Sequence, residues 1–138
     1  MSGPDAPDSP DGSVRFAGYA AIFDRVDRGG DVIAPGAFAD SLTRHGPLPI
    51  LWQHDPARPV GVVERIAEDA RGLRVIGRVS AGRAAGLVKE GTLTGLSFGY
   101  RVVAAEGDRP RRLATLDILE VSLVAHPMQP LARIHALD

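Results

Sequence analysis

Gly95-Leu-Ser-Phe-Gly-Tyr-Arg-Val-Val103 fits two different folds, according to whether its serine stands on a turn or within a strand. Its first five residues satisfy G-x-S-x-G, the turn that presents a nucleophilic serine between a strand and a helix in α/β-hydrolases. The surroundings oppose that reading. Helix formers precede the motif, over residues 81–90, and the residues from Phe98 to Val103 continue as strand. Those hydrolases also place their acid and histidine after the serine, and the 41 residues that follow Ser97 are few for such a sheet. Taken as a strand, the stretch puts Leu96, Phe98, Tyr100 and Val102 on an inward face and Gly95, Ser97, Gly99 and Arg101 on the opposite one. A serine flanked on its own face by two glycines leaves room for an imidazole and a peptide backbone. The same residues also fit an exposed serine on a glycine-rich edge strand, and the segment alone favours that plainer reading.

Working outward, residues 14–20 and 21–23 have the two-residue period of a strand, ended by the turn-rich Asp27-Arg-Gly-Gly-Asp31. Residues 36–43 predict a short helix, with Phe38 and Leu42 four apart on one face. Residues 48–54, 60–67 and 73–80 read as strands. In the last, Leu73, Val75, Gly77 and Val79 form one face. A helix over 81–90 should stop at Gly91, a fitting C′ glycine. Residues 93–103 and 113–124 are the remaining long strands, separated by Glu106-Gly-Asp-Arg-Pro-Arg111. Many short strands with few helices predict a mainly β protein, an antiparallel β-barrel flanked by a few helices. Residues 1–12, rich in Pro, Asp, Ser and Gly, read as a disordered tail before a single domain over 13–138.

Composition removes several function classes. The chain has 138 residues, 16 basic and 17 acidic, with a formal net charge of -1. That balance argues against nucleic acid or an anionic membrane as partner, since both are bound by a surplus of Lys and Arg. There are no cysteines, so disulfides, thiolate metal sites and cysteine nucleophiles are excluded. The four histidines form neither HxxxH nor HExxH, so no metal is expected, and nothing calls for a cofactor. No apolar run approaches the roughly 20 residues of a membrane helix, and the N-terminus lacks the basic start and apolar stretch of a signal peptide. A cytoplasmic protein is expected.

A serine hydroxyl needs a neighbouring base. His54 is the best candidate. It ends Leu48-Pro-Ile-Leu-Trp-Gln-His54, sharing parity with Ile50 and Trp52, just before Asp55-Pro56. A third group should orient the imidazole. In Leu119-Glu-Val-Ser-Leu-Val-Ala-His126, Glu120 is an acid among apolar residues, which suggests a partner. His126 has the same parity and is the alternative; Asp117 is a weaker third. An exposed loop histidine and an exposed glutamate are the plainer readings of the same positions.

The blocks Asp31-Val-Ile-Ala-Pro-Gly-Ala-Phe38, Leu51-Trp-Gln-His-Asp55, Gly95-Leu-Ser-Phe-Gly-Tyr100 and Leu119-Glu-Val-Ser-Leu-Val-Ala-His-Pro127 resemble the prohead (capsid-maturation) serine proteases of tailed phages. They occur in that family's order and cover nearly the whole chain from Val14 to Arg133. The compact length looks most like the versions in bacterial gene transfer agents. The resemblance implies a herpesvirus-assemblin-like barrel and a catalytic order of His54, Ser97 and then a third residue. In assemblins that residue is a histidine, whereas the phage pattern favours Glu120 and leaves His126 open. It further implies the N-terminal region of a major capsid protein as substrate, inside an assembling prohead, and self-association as a homodimer. Oxyanion donors are not identified; Arg101 shares the face of Ser97 but stands roughly 13 Å along the strand. Two other functions stay open: a non-catalytic assembly factor that keeps the fold and binds capsid subunits, and a small esterase.

Overall fold

Residues 72–79 show how directly the alternation decides this fold. In β5 (Gly72–Val79), Leu73, Val75 and Val79 are fully buried while Arg74 and Arg78 lie at the surface side. Gly77 falls on the buried face, where a Cβ would stand 2.6 Å from Ile50 and 2.8 Å from the Phe16 ring. The missing side chain is what lets neighbouring strands pack there at interior density.

The computed structural model describes residues 11–138. The tail expected over residues 1–12 lies outside the described residues except for Asp11 and Gly12, which are tied to the domain: Asp11 accepts from Ser13 and Lys89 donates to the Gly12 carbonyl. The other elements are β1 (Val14–Ile22), β2 (Asp31–Ile33), α1 (Ala39–Leu42), β3 (Pro49–Trp52), β4 (Asp55–Glu68), α2 (Arg83–Lys89), β6 (Gly95–Glu106), β7 (Arg111–Val124) and β8 (Ile134–Leu137). The mainly β architecture with few helices is therefore as expected. Gly91, with φ +78, ends α2: its N–H reaches the Val88 carbonyl and Thr92 N–H the Leu87 carbonyl, a Schellman closure. The two shortest edge strands, β2 and β8, have too few residues to show a period, and nothing in their sequence marks them.

One sheet holds the eight strands of the described residues, in the order β2-β7-β3-β4-β5-β1-β8, with β6 on the other edge of β7. Most pairings are antiparallel, but β2 and β3 both run parallel to β7, end to end along the same edge. The segment after β7 curls the sheet into a barrel-like form. Leu96 N–H bonds to the Ala132 carbonyl, Ile134 N–H to the Thr94 carbonyl, and Tyr19 N–H to the Arg133 carbonyl, so the start of β6 meets β1 across residues 132–134. The curled interior is filled by Phe16, Phe38, Ile50, Leu96, Leu116, Val121 and Leu123, each almost wholly buried. The Phe38 ring meets Phe98 edge-on at 5.1 Å, seating the N-terminal side of α1 over β6.

Candidate active site

The end of β7, from Glu120 to Val124, is buried on both faces and lies between β3 and β6, and this position assembles the candidate site. In the β6–β7 register Ser97 lies opposite Ser122, and Gly99 opposite Glu120. Positions two apart on a strand share a face, so these four residues form a two-by-two patch. On the other edge of β7, Leu51 and Trp52 pair with Ser122 and Leu123, which brings the end of β3 to the same level. His54 lies just beyond that end.

His54 is not the last residue of a strand, as the parity argument supposed; β3 stops at Trp52. Trp52 pairs with Asp55, leaving Gln53 and His54 as a two-residue hairpin turn with φ of 49° and 62°. Two successive left-handed residues are what a type I′ turn requires, usually met by Asn-Gly. With ordinary side chains the cost is roughly 1–2 kcal/mol per residue. Three hydrogen bonds to the β7 side, each contributing about 1 kcal/mol, offset much of it. Gln53 N–H donates to the Leu123 carbonyl (2.9 Å), Ala125 N–H to Gln53 Oε1 (2.8 Å), and His54 N–H to Ser122 Oγ (3.1 Å). The turn, not the strand's alternation, aims the imidazole.

Glu120 meets that imidazole. Its Oε2 is 2.9 Å from His54 Nδ1, and its Oε1 accepts from Ser122 Oγ at 2.8 Å. An ionised carboxylate can only accept, so the ring proton sits on Nδ1 and Nε2 is left as the unprotonated nitrogen of the neutral ring. This hydrogen bond, helped by the negative charge behind it, holds the His54 pKa above its ordinary value, against the opposing effect of partial burial. The side chain of Glu120 is 12% exposed, so its charge acts with little screening by water.

Gly99 has a different use from the one its spacing implied. A Cβ there would stand 2.7 Å from the Glu120 carboxyl carbon and from Oε2. The space beside the serine is thus filled by the carboxylate. Gly95 is spaced alike but accommodates backbone: a Cβ would meet the Val124 carbonyl at 2.4 Å. Gly99→Ala should therefore fold, because the end of a flexible side chain can yield, yet lose about 100-fold in hydrolysis rate as the carboxylate leaves His54. Thermal melting and a peptide-cleavage assay measure the two separately; a fully active Gly99→Ala would show that this contact is not required.

Ser97 and His54 line one cavity of about 300 Å³, together with Ile33, Phe98, Tyr100 and Met128. No hydrogen bond among the described residues holds Ser97 Oγ, and none joins it to His54; such bonds commonly tighten only when substrate arrives. Gln129 closes the floor. Its buried amide accepts from Ile22 N–H (2.8 Å) and donates to the Ile22 carbonyl (2.7 Å), imitating a paired strand.

The other candidates fall elsewhere. His126 is exposed beyond the end of β7. Asp117 is engaged by Arg44 and Arg101, both at 2.8 Å, away from the imidazole. That ion pair also occupies Arg101. Ser122 and Asp27, the latter at the cavity wall, were not singled out by sequence reasoning. The Ser122 signal was present, since E-x-S puts the hydroxyl and the acid on one face.

The fold of this curled sheet is similar to that of solved viral proteases. The varicella-zoster virus protease superposes with a TM-score of 0.62 at 19% identity, covering 91% of this chain and 64% of that one. The bacteriophage T4 capsid assembly protease gives 0.60 at 11% identity, over 80% of this chain and 81% of that one. At such identities the likeness is one of fold. The chain belongs to the caudovirus prohead serine protease family, whose model matches residues 5–138. The prohead protease of Escherichia phage T5 is 33% identical over 129 residues, 87% of this chain and 61% of the relative. That of Enterobacteria phage HK97 is 37% identical over 94 residues, 63% of this chain and 42% of the relative. The chain spans less than two thirds of either curated relative. Among the described residues, no helix is long and apolar enough to cross a membrane.

Proposed function

We propose that this chain is a serine endopeptidase of capsid maturation, with Ser97 as nucleophile, His54 as general base and Glu120 orienting the base. The observation that carries the reading is the 2.9 Å contact between Glu120 and His54 Nδ1 beside a cavity that Ser97 also lines. A carboxylate behind one nitrogen of an imidazole that shares a cavity with a serine is the arrangement that activates a hydroxyl. His54 Nε2 takes the Ser97 Oγ proton as Oγ attacks the peptide carbonyl. The tetrahedral adduct collapses when His54 returns that proton to the leaving amine, giving an acyl-Ser97 ester. Water, deprotonated by His54, then cleaves the ester and restores the serine. Glu120 stabilises the imidazolium formed in both halves. The substrate in this reading is the N-terminal region of a major capsid protein within the immature shell, which membership of the prohead protease family supports; self-association is a further expectation of the reading.

A peptide phosphonate that mimics the tetrahedral adduct tests the reading. It should label Ser97 alone, located by mass spectrometry of the digested adduct. The labelling rate should rise with pH as His54 loses its proton. Because Glu120 raises the His54 pKa, the midpoint should lie above the ordinary value of about 6.5, and below it the protonated ring cannot accept. Absence of labelling at any pH, with the protein folded, points to a binding-only module.

A further inference from the structure

We infer that Ser122 is a positioning residue of this site, holding the Glu120 carboxylate and the His54 backbone with one hydroxyl. The inference rests on the catalytic reading of Ser97, His54 and Glu120. Ser122 is completely buried near the C-terminal end of β7. A buried hydroxyl usually bonds to its nearest backbone, but this one joins two parts of the site. It donates to Glu120 Oε1 at 2.8 Å and accepts the His54 N–H at 3.1 Å. Its donor and one of its acceptor positions are therefore committed to catalytic partners.

The consequence is geometric. A glutamate carboxylate turns freely about its last bond unless both oxygens are held. Glu120 Oε2 belongs to His54, and Oε1 to Ser122, so the carboxylate plane is fixed by one bond at each oxygen. The imidazole itself is set by the backbone of His54, whose left-handed conformation relies on the same hydroxyl. Ser122 thus couples the two ends of the Glu120–His54 bond: if the hydroxyl is removed, the carboxylate gains a rotation and the turn loses an anchor together. Strand register gives a further reason for its place, since Ser122 is directly opposite Ser97 and directly beside Leu51, level with the serine on one side and the histidine turn on the other.

Replacement of an outer partner that orients a reacting group commonly costs 10- to 100-fold in activity. Ser122→Ala should lower kcat by about that factor and leave KM little changed, since the residue meets no substrate. Ser122→Cys keeps the space filled, with a somewhat larger atom and a much weaker donor, so it separates the loss of the hydrogen bonds from the opening of a void and should follow the alanine variant. The readout that a packing role would not move is the titration of His54, followed by NMR of its ring nitrogens in a Ser97→Ala background. Both Ser122 substitutions should shift its midpoint to lower pH and broaden the Nδ1 proton resonance. An unmoved midpoint, with or without loss of kcat, overturns the inference, as does full activity of the cysteine variant. The NMR arm stands apart from the catalytic reading: continued cleavage by Ser97→Ala itself would defeat that reading while the His54 midpoint still reports on Ser122.

Discussion

Ser97→Ala is expected to lower kcat for capsid-protein cleavage by about 10⁶-fold, the scale seen when the nucleophile of a serine protease is removed. The loss should be chemical and not structural. No hydrogen bond among the described residues depends on Ser97 Oγ, and the neighbouring Leu96 and Phe98 carry the packing of that part of β6. The melting temperature should therefore be close to that of the unaltered protein. Substrate should still bind, because the cavity walls formed by Ile33, Tyr100 and Met128 are untouched. A variant that binds capsid protein, melts normally and does not cut it separates catalysis from association in one preparation.

Glu120→Gln should cost about 10⁴-fold in kcat, as expected when the acid behind a catalytic histidine becomes an amide. The shape is kept but the charge is lost, and the amide can present an N–H to His54 Nδ1. That would favour the tautomer with the proton on Nε2, the nitrogen that must accept from Ser97. The imidazolium also loses its counter-charge, so the His54 pKa should fall from its raised value and the acid limb of the pH–rate profile move to lower pH. His126→Ala should leave rate and profile unchanged, because that side chain is exposed beyond the end of β7. The opposite pair of results, an active Glu120→Gln and an inactive His126→Ala, would transfer the third role to the histidine.

The alternation over β5 was legible in the sequence and reports burial directly, whereas the start of β6 is buried on both faces from Gly95 to Phe98, so its alternation does not. The α2 stop at Gly91 was legible too, because a left-handed residue there needs glycine. His54, Ser97 and Glu120, with His126 as alternative, are candidates by residue type and block order, and the structure sets the histidine against the acid. What the sequence could not carry was the means of aiming. His54 shares a left-handed turn with Gln53, a pair that does not advertise such a conformation as Asn-Gly does, and the compensating bonds come from residues about 70 positions later. The parallel pairing of β3 with β7 is likewise non-local and leaves no periodic trace. The role of Gly99 is hidden for the same cause: its neighbour across the strand pair, Glu120, fills the space that the glycine spacing leaves open.

The measurement that bears most directly on the central claim is the mature N-terminus of the capsid protein, read by mass spectrometry after co-expression with this chain or with its Ser97→Ala variant. A shortened N-terminus with the first and the full-length protein with the second is the expected result. Capsid protein shortened at the same bond in the presence of Ser97→Ala would contradict the account.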